Sequence, residues 1–540
     1  MANPPDTVAT IAALQALTAL PPSGTLVVQN YTAPGDQGGG IFVYNPSDTT
    51  SPDNGGTILV DAALHRWYRV GVQSANIQWF GAAGAGPGAN VAANAAALTN
   101  ALATGMTVFI PWTALGYDFG ATPFNIANGQ FVSQGGNRVL CYSQSTSYFL
   151  GLTGQTLESG IEDLIIDMSG APAGSSAVRY LTAVNTVGLT RIRNCVFRNC
   201  FNAIGQQSGN YIFDCIFSDL EVIRSKGQSV KIVESQGFQK WEDINIDDTQ
   251  AFTGAYLANW IAFEYDNFAG LELYHVDHTG QASVLGSGAT FNASVGSYKL
   301  NGGTPPLNAF VWADRLRSED SCGFAIQFTA LNFIHGSQVE CFACLGLGIL
   351  CTNSNFITCQ DWYCRGSSGN PGSAAGGHGI TFTGCTVVVG VNMAADFCNG
   401  NGLLLTNTSS SIFTNVRGAN NIQYDIGETG SSNNNNYINT SLSGTGLGPA
   451  QLVGAASRLI SSPVGAAYSY TWASTQIFAV AVQLPTYTVA TLPAAAVKGQ
   501  KAFVSNSSVS AAGNFGQTVA AGTPSHFVPV YSDGSQWLIG

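Results

Sequence analysis

The sequence has few charged residues: Asp, Glu, Lys and Arg together make up 9% of 540 positions, against ~25% in an average soluble protein. The 31 acidic and 19 basic residues give a net charge of −12, and no basic patch is visible, so we expect no nucleic-acid binding. The sequence contains no run of ~18 apolar residues, so no membrane-spanning segment is predicted. Residues 1–5 show no charged segment leading into an apolar one, so we expect a soluble protein made in a cytoplasm without a secretory signal.

Apolar residues and glycine are abundant instead. Hydrophobic residues make up 45% of the chain and glycine occupies 64 positions. Disordered chains are poor in apolar residues, so this composition excludes disorder. A surface with few charges must be covered by Ser, Thr, Asn, Gln and Gly, which are residues that serve turns. The composition therefore favours an all-β protein of many short strands, and its length favours several domains or a repeat.

Twelve cysteines are present, and we expect free thiols because the chain is long and shows no export signal. Cys341 and Cys344 have the CxxC spacing of zinc or redox sites. A second CxxC is missing and no His lies at ligand spacing, so we predict no metal and no cofactor. Most of the cysteines are interpreted as small core residues.

The chain divides into three predicted parts, residues 1–75, 76–446 and 447–540. In the first, Thr7 to Leu20 has helical apolar spacing and stops at Pro21, and short β-prone runs follow. At the start of the second, Asn90 to Ala103 predicts a helix and Thr107 to Pro111 a strand. The third part begins with a small-residue linker and continues with β-prone runs.

An internal repeat carries the strongest signal in the middle part. Gly323, Gly348, Gly379 and Gly402 each begin a short apolar strand that ends in Thr and a turn, at spacings of 25, 31 and 23 residues. Periods of ~20–50 residues indicate a solenoid. Cys344, Cys364 and Cys398 each close a strand-like run, which predicts that they occupy equivalent positions on successive turns.

Three groups of motifs resemble bacteriophage tailspike or tail-fibre proteins. Ala33-Pro-Gly-Asp-Gln-Gly-Gly-Gly-Ile-Phe, Asp53-Asn-Gly-Gly-Thr-Ile and Arg66-Trp-Tyr-Arg are similar to the segment that precedes the β-helix in these proteins. Phe80-Gly-Ala-Ala-Gly-Ala-Gly resembles the opening of a pectate-lyase-like β-helix, although the usual acidic residues are absent. The ending Tyr531-Ser-Asp-Gly-Ser-Gln-Trp resembles a closing module of phage tail proteins.

This resemblance implies a right-handed parallel β-helix over residues 76–446, preceded by a virion-attachment or neck-like domain. It implies a C-terminal β-rich domain for trimerisation or glycan binding. It also implies a homotrimer located in the phage tail, synthesised in the host cytoplasm and attached to other tail or baseplate proteins through the N-terminal domain. Tailspikes of this kind bind host surface polysaccharide, and many cleave it by hydrolysis or β-elimination.

Glycoside hydrolysis needs two carboxyl groups, and residues i and i+2 of a strand share one face. Glu264 and Asp266, beside Trp260, form one such pair, and Asp243 and Asp247 belong to a second outward-facing set. Glu340 and Asp314 are further candidates for a pair across neighbouring turns. Residues expected to bind glycan through aromatic stacking or charge are Trp260, Trp312, Arg315, Arg317, Phe342, Trp362 and Asp396.

Two other functions stay open. A lyase would need a base such as Arg315, Arg317 or one of the few lysines Lys226, Lys231, Lys240 and Lys299. A non-catalytic receptor-binding or structural tail subunit would have the same helix without the chemistry. The histidines are too scattered for a triad, and the phage-like termini oppose a cellular pectate-lyase-like enzyme. Carboxylate-mediated hydrolysis is the first prediction.

Overall fold

The computed structural model describes residues 6–153, 158–181, 187–207, 211–225, 227–248, 261–280, 296–303, 309–321, 323–344, 346–366, 377–443, 447–454, 456–460, 471–472, 486–495, 498–523 and 525–540. The chain divides into two compact units, residues 1–474 and 475–540. Among the described helices, none combines the length and the apolar character that a membrane span requires.

The first unit begins with a five-stranded sheet. Its strands are Asp6–Thr10, Thr25–Asn30, Gly40–Tyr44, Arg66–Arg69 and Ile58–Val60, in this spatial order. The first pair is parallel and the others are antiparallel. A short helix, Ile11–Gln15, packs Ile11 and Leu14 against this sheet, in one core with Phe42 and Trp67.

The predicted helix over residues 7–20 is wrong at both ends. Residues 6–10 form a strand that pairs with Leu26 to Asn30, because β-branched Thr7, Val8 and Thr10 fit a pleated ladder. The Thr10 hydroxyl then accepts a hydrogen bond from the Ala13 amide (3.2 Å) and caps the helix, which ends at Gln15. Helical spacing alone did not reveal the strand before the cap.

Arg69 explains the glycine-rich motifs of this domain. Its guanidinium donates to the carbonyls of Gly38 (2.8 Å), Gly39 (2.6 Å) and Gly56 (2.9 Å). A Cβ on Gly40 would lie 2.1 Å from the Arg69 side chain. Burial lowers the pKa of Arg69 to about 10, so the side chain stays charged at neutral pH. Glycine is therefore required where the loop backbone surrounds this cation.

The rest of the first unit is a right-handed parallel β-helix built from two large sheets. The 24-stranded sheet comprises Ala75–Asn76, Val108–Phe109, Tyr117–Asp118, Phe131–Ser133, Val139–Tyr142, Ser159–Glu162, Leu164–Asp167, Val187–Gly188, Thr190–Arg198, Ile212–Phe213, Cys215–Ile223, Ser235–Asp247, Phe268–Thr279, Phe310–Glu319, Phe333–Cys344, Asn355–Gln360, Tyr363–Gly366, Thr386–Val391, Ala394–Asp396, Ile412–Thr414, Arg417–Ala419, Asn436–Ile438, Ser441–Leu442 and Arg458–Ile460.

The 14-stranded sheet forms the remaining face of the helix. Its strands are Phe124–Ile126, Tyr148–Leu152, Ser176–Tyr180, Asn202–Gln206, Val230–Ile232, Ile261–Asp266, Gly296–Asn301, Phe324–Thr329, Ile349–Thr352, Ile380–Thr383, Leu403–Thr406, Tyr424–Thr429, Gly448–Leu452 and Thr471–Trp472. All described pairings in both large sheets are parallel, as each turn of the coil adds one strand to each face.

Residues with positive φ divide the 24-stranded sheet into two faces. One column of them is Asn194, Asp219, Asp243, His275, Arg315, Gln338, Asp361, Asn392, Asn415 and Asn439, with φ between 51° and 56°. A single left-handed residue between two extended segments turns the strand. We call the segments before this column face 1, those after it face 2, and the 14-stranded sheet face 3. The pairing partners of Phe333–Cys344 show the division, because Asn355–Gln360 lies on face 1 and Tyr363–Gly366 on face 2.

The first turn of the β-helix is covered by the α-helix that the sequence predicted as its cap. It spans Val91–Ala103, follows a 3₁₀ turn at Ile77–Phe80, and buries Ala97, Leu98, Ala101 and Leu102 in the β-helix core. The predicted strand at residues 107–111 is present as Val108–Phe109. The helix covers apolar side chains that an open end of the coil would expose.

The interior confirms the core role of the cysteines. Eleven cysteines are described, and all are free and buried. Aromatic rings stack beside them, as in Phe328, Trp362, Phe382, Phe413 and Tyr437, whose successive centroids are 5.4–6.3 Å apart. A continuous apolar core runs through the described turns of the coil.

Two details of the predicted repeat register are wrong. Ile326 pairs with Ile349, so Gly348 lies beside Ala325 and not beside Gly323. Cys364 pairs with Cys341, whereas Cys344 pairs with Gly366. Turns of unequal length shift the start of each strand, so spacing alone does not give the register.

The second unit is a small sheet with its own core. Its strands are Thr486–Tyr487, Lys501–Ser507, His526–Ser532 and Trp537–Ile539, and a 3₁₀ turn spans Val489–Thr491. The closing motif forms a turn in which the Asp533 carboxylate accepts from the Ser535 and Gln536 amides (both 2.8 Å). Those hydrogen bonds lower the pKa of Asp533 to about 2. Trp537 then packs into the core and donates to the Pro493 carbonyl (2.7 Å).

Candidate functional site

Glu264 and Asp266 lie on the outer side of face 3, within a group of charged side chains. Their strand, Ile261–Asp266, buries Phe263 and Tyr265 in the core and so directs the two carboxyls outward. Its neighbours are Val230–Ile232 on one side and Gly296–Asn301 on the other, and Glu264 pairs in register with Lys231 and Lys299. We call Glu264, Asp266, Lys231, Lys299 and Gln228 the carboxylate–lysine cluster.

Contacts within the carboxylate–lysine cluster are short. The Lys299 ammonium lies 2.6 Å from Glu264 Oε1 and 3.5 Å from Asp266 Oδ1, and Lys231 Nζ lies 3.5 Å from Glu264 Oε2. Gln228 also donates to Glu264, and Asn301 donates to Asp266 (3.2 Å). The Glu264 side chain is 6% exposed, whereas that of Asp266 is 27% exposed. Solvent therefore reaches Asp266 and the two lysines (Lys231 39%, Lys299 30% exposed) more than it reaches Glu264.

The two carboxyls have pKa values shifted in opposite directions. Burial opposes the ionisation of Glu264, but the hydrogen bond and charge of Lys299 outweigh it, so the pKa of Glu264 is lowered. Burial and the negative charge of Glu264 together raise the pKa of Asp266, with a hydrogen bond between the two carboxyls adding to the effect. Lys299 is held charged, because its hydrogen bond to Glu264 raises its pKa against the effect of burial. One carboxyl is thus kept ionised beside another that favours its proton, the arrangement that acid and base catalysis uses.

The sequence identified the two carboxyls, whereas it gave Lys231 and Lys299 only as possible bases of a lyase and did not place them beside Glu264. Residues i and i+2 on one strand are visible in a sequence, whereas Lys231 and Lys299 come from the preceding and following turns. Only the register between turns brings them to Glu264. Trp260, the aromatic residue expected beside the pair, lies outside the described residues.

The other three acidic candidates of the early turns lie on the 24-stranded sheet. Asp243 occupies the left-handed corner (φ 54°), where its carboxylate meets His275 Nδ1 at 2.9 Å. Asp247 pairs with Thr279 on face 2, and Asp314 pairs with Tyr274 and Ser337 on face 1. Asp243 and Asp247 therefore do not share a face, because Asp243 lies at the corner and Asp247 lies beyond it on face 2. The structure does not bring any of these three into the carboxylate–lysine cluster.

Face 2 carries a second feature, an open groove of about 420 Å³ around Tyr363. We call it the Tyr363 groove, and its side chains include Glu340, Asp361, Tyr363, Asn392, Asn415 and Arg417. Glu340, Tyr363, Ala394 and Arg417 follow one another in one outward column over four turns. The Arg417 guanidinium lies over the Tyr363 ring, 5.8 Å from its centroid. An aromatic ring flanked by charges and amides is suited to a sugar, which has an apolar face and polar edges.

Asp396 lies beside this groove and contacts two of its residues, Tyr363 and Arg417. One of its oxygens accepts from Arg417 and from the Tyr363 hydroxyl (3.4 Å), and its other oxygen is buried with no hydrogen-bond partner. Phe342 meets the Tyr363 ring edge-on at 5.4 Å, and Arg317 lies over Phe342 at 5.1 Å. Four predicted residues, Glu340, Phe342, Asp396 and Arg317, are thus brought together on face 2.

Trp362 is not on the outer surface, contrary to expectation. Its side chain is fully buried and donates from Nε1 to the Gly336 carbonyl (2.9 Å). Glu340 pairs with Tyr363, one residue further along, so that Tyr363 takes the outward position and Trp362 joins the aromatic core stack. A one-residue shift in register exchanges the two sides of a strand.

Trp312 and Arg315 are exposed but lie apart from both groups. Trp312 is on face 1, 44% exposed, with its ring 4.2 Å from that of His335. Arg315 occupies the left-handed corner (φ 56°) of the same strand, Phe310–Glu319. Their outward positions match the expectation, while their role in binding stays a prediction.

A serine–histidine–aspartate group that spacing could not reveal lies inside the coil. His278 Nδ1 is 2.9 Å from the Ser297 hydroxyl, and its Nε2 is 3.6 Å from Asp248. All three side chains are buried, and burial raises the pKa of Asp248. A group without access for a substrate is a structural polar network, so it does not serve as a nucleophilic site.

Comparisons with known proteins agree with this architecture. A family model described as the phage tail protein small four-stranded beta-sheet domain matches residues 7–72. The tailspike gp42 of Acinetobacter phage vb_AbaP_AS12 superposes with a TM-score of 0.54 at 12% identity, covering 100% of this chain and 94% of that one. No curated protein matches the sequence significantly.

Two further solved structures are more distant. The tailspike protein 3 of bacteriophage CBA120 gives a TM-score of 0.40 at 11% identity, over 86% of this chain and 69% of that one. The A-module of the mannuronan C-5 epimerase AlgE4 of Azotobacter vinelandii gives 0.41 at 15% identity, over 71% and 99%. The resemblance to bacteriophage tailspikes is confirmed: residues 7–72 form a phage-tail β-sheet domain, and the chain has the right-handed parallel β-helix fold of a tailspike.

Proposed function

We propose that this tailspike binds and depolymerises a polysaccharide of the host surface, by glycoside hydrolysis at Glu264 and Asp266. The observation that carries the proposal is the pair of neighbouring carboxyls with oppositely shifted pKa values on the outside of face 3. Fold alone does not grant an activity, so the argument rests on these residues. The virion is the proposed location, with the N-terminal domain attached to other tail or baseplate proteins.

Each carboxyl has a distinct proposed role. Asp266, which is more exposed and favours its proton, donates that proton to the glycosidic oxygen as the bond breaks. Glu264, which stays ionised, attacks the anomeric carbon after its contact with Lys299 opens, and forms a glycosyl–enzyme ester. The Asp266 carboxylate then takes a proton from a water molecule, which hydrolyses this ester and frees Glu264. A carboxylate nucleophile that forms a glycosyl–enzyme ester gives retention of anomeric configuration, so retention is expected.

β-Elimination is the less supported mechanism at this cluster. A lysine base must lose its proton before it can abstract another, which requires a lowered pKa. The hydrogen bond to Glu264 instead raises the pKa of Lys299. The ammonium groups of Lys231 and Lys299 are better suited to holding Glu264 in its ionised form.

Two substitutions test this proposal against a matched control. Asp266→Asn and Glu264→Gln each should lower kcat at least ~100-fold, the usual contribution of a positioned acid or base. Glu242→Gln is the control, since Glu242 is also paired with a lysine (Lys240, 2.7 Å) but lies on face 1 and should retain full activity. Chain shortening is followed by size exclusion, unsaturated ends by ultraviolet absorbance, and the configuration of the new reducing end by NMR. Unsaturated products, or full activity in both variants, would contradict the proposal.

Receptor binding without cleavage is the second candidate function, favoured by the Tyr363 groove. Its aromatic ring, Arg417 and several carboxyl and amide groups could hold a glycan with no catalytic pair. Arg417→Ala should weaken glycan binding about 10-fold, the loss expected for a charge-assisted contact of ~1.4 kcal/mol or more. Arg193→Ala, an exposed arginine paired with Glu162 at 3.5 Å, serves as the control. Binding is measured by calorimetry in the Asp266→Asn background, where the glycan stays intact. Unchanged affinity would exclude the groove as the receptor site.

A further inference from the structure

Three cysteines of the core lie closer together than stacking alone requires. The sulfurs of Cys341, Cys344 and Cys364 are all within 4.8 Å of one another, and all three side chains are buried. Cys341 and Cys344 come from the CxxC at the end of Phe333–Cys344, and Cys364 pairs with Cys341 from the next turn. The structure therefore supplies the third thiol that the sequence pattern lacked.

A fourth thiol and a glycine complete the surroundings. Cys398, a further buried and free thiol, comes from the following turn. Gly348 leaves the space beside the sulfurs open, since a Cβ there would lie 2.4 Å from Cys364 Sγ and 3.1 Å from Cys341 Sγ. Gly379 does the same for Cys398, with its Cβ position 2.8 Å from that sulfur.

We propose that Cys341, Cys344 and Cys364, with Cys398 as the fourth ligand, bind one structural zinc ion inside the β-helix. Tetrahedral zinc with Zn–S bonds of ~2.3 Å places its sulfurs ~3.8 Å apart, which fits the observed clustering after small side-chain movements. Structural zinc sites are closed sites of four protein ligands, and full burial matches that type.

The cluster lies in the apolar core of the coil, where a bound cation would be the partner of its thiolates. Zinc binding displaces the protons of its ligands, and the cation then compensates the thiolate charge within the apolar core.

Such an ion would join two turns that build the Tyr363 groove. Glu340 directly precedes Cys341, and Tyr363 directly precedes Cys364. The inward thiols thus hold the strands whose outward neighbours line the groove. This inference does not depend on the proposed catalytic activity, because the carboxylate–lysine cluster lies on face 3.

The test is the metal content of the whole protein purified from zinc-supplemented cultures. Mass spectrometry of the metal should find one zinc per chain, and Cys344→Ser and Cys364→Ala should each lose it. Cys359→Ala is the control, being an equally buried cysteine outside the cluster, and should keep the zinc. Should the cluster variants misfold, replacement of zinc by cobalt in the unmodified protein should give the visible absorption of tetrahedral thiolate–cobalt.

Thiol counting gives the opposing outcomes. The proposal would be overturned if the purified protein contained no zinc and all twelve thiols reacted with a thiol reagent after unfolding. The cysteines would then be core residues only. Ten titrating thiols and no zinc would overturn it in favour of a disulfide. Release of one zinc ion per chain, together with the appearance of four additional reactive thiols, would support the proposed ligand set.

Discussion

At the scale of single residues, the pKa of a carboxyl depends on its charged neighbours more than on its position along a strand. Glu264 and Asp266 are two residues apart and equally part of one strand, yet their pKa values move in opposite directions. Lys299 contacts Glu264 at 2.6 Å and lowers its pKa against the effect of burial. Burial and the negative charge of Glu264 raise the pKa of Asp266, which Lys299 meets only at 3.5 Å. The same chemistry at an exposed pair would be screened by water.

The pH dependence of activity follows from these two shifts. Cleavage requires Glu264 ionised and Asp266 protonated, so kcat/KM should fall at alkaline pH as Asp266 loses its proton. The value of kcat/KM should also fall at acidic pH, where Glu264 gains a proton at a pH below the ordinary pKa of a glutamate. The profile should therefore be a bell with its maximum on the acidic side of neutrality. Initial rates of depolymerisation across pH check this, and a maximum at alkaline pH would point to a lyase base.

At the scale of structural elements, the corner residues determine where each strand turns. Asp361, Asn392, Asn415 and Asn439 have positive φ, and their side chains form a ladder with amide contacts of 2.7–2.9 Å between successive turns. Asn and Asp tolerate the left-handed conformation better than other residues with a Cβ. The ladder therefore both permits the turn and ties successive turns together.

Substitution of Asn415 separates these two contributions. Asn415→Ala loses the ladder contacts and keeps a Cβ at φ 56° without the side-chain amide that lets Asn tolerate this conformation. Asn415→Gly loses the same contacts but removes the Cβ that disfavours positive φ. We expect the alanine variant to be less stable than the glycine variant by about 1 kcal/mol. Asn137, an exposed asparagine not among the positive-φ residues, is the control and should show the reverse order. Chemical unfolding measures all four variants, and equal effects of Ala and Gly at Asn415 would contradict the corner interpretation.

At the scale of the whole molecule, face 1 presents an apolar stripe along the coil. It consists of Phe238, Phe310, Phe333, Phe356 and Val387, with Trp312, Val389 and Ile412 in the next column. Phe333 is 47% and Phe356 57% exposed. A contiguous apolar surface of this kind marks a protein interface in a protein with a polar exterior. We propose that it is where chains pack in the homotrimer that the tailspike resemblance implies.

Disrupting the stripe should abolish the trimer. Phe333→Glu together with Phe356→Glu should place two charges in the interface and yield monomers of about the 56.2 kDa chain mass. Leu64→Glu, at a more exposed leucine (68%) of the N-terminal domain, should leave the oligomer intact. Light scattering coupled to size exclusion measures the masses. A trimer that survives the double substitution would exclude face 1 as the interface.

The sequence by itself determined the class of fold and the inventory of reactive groups. Repeated short strands beginning at Gly348, Gly379 and Gly402 required a solenoid, because each unit can bury its apolar side only against the next. Alternation along Ile261–Asp266 was enough to direct both carboxyls outward, since that period is local.

Only the tertiary structure decided which side chains meet between turns. The unequal turn lengths set the register, which placed Trp362 inside, Tyr363 outside and Cys341 against Cys364. The same register brought Lys231 and Lys299 to Glu264 and so determined the pKa values of the candidate pair. Contacts between turns depend on where each loop ends, and that depends on the packing of the whole coil more than on any local pattern.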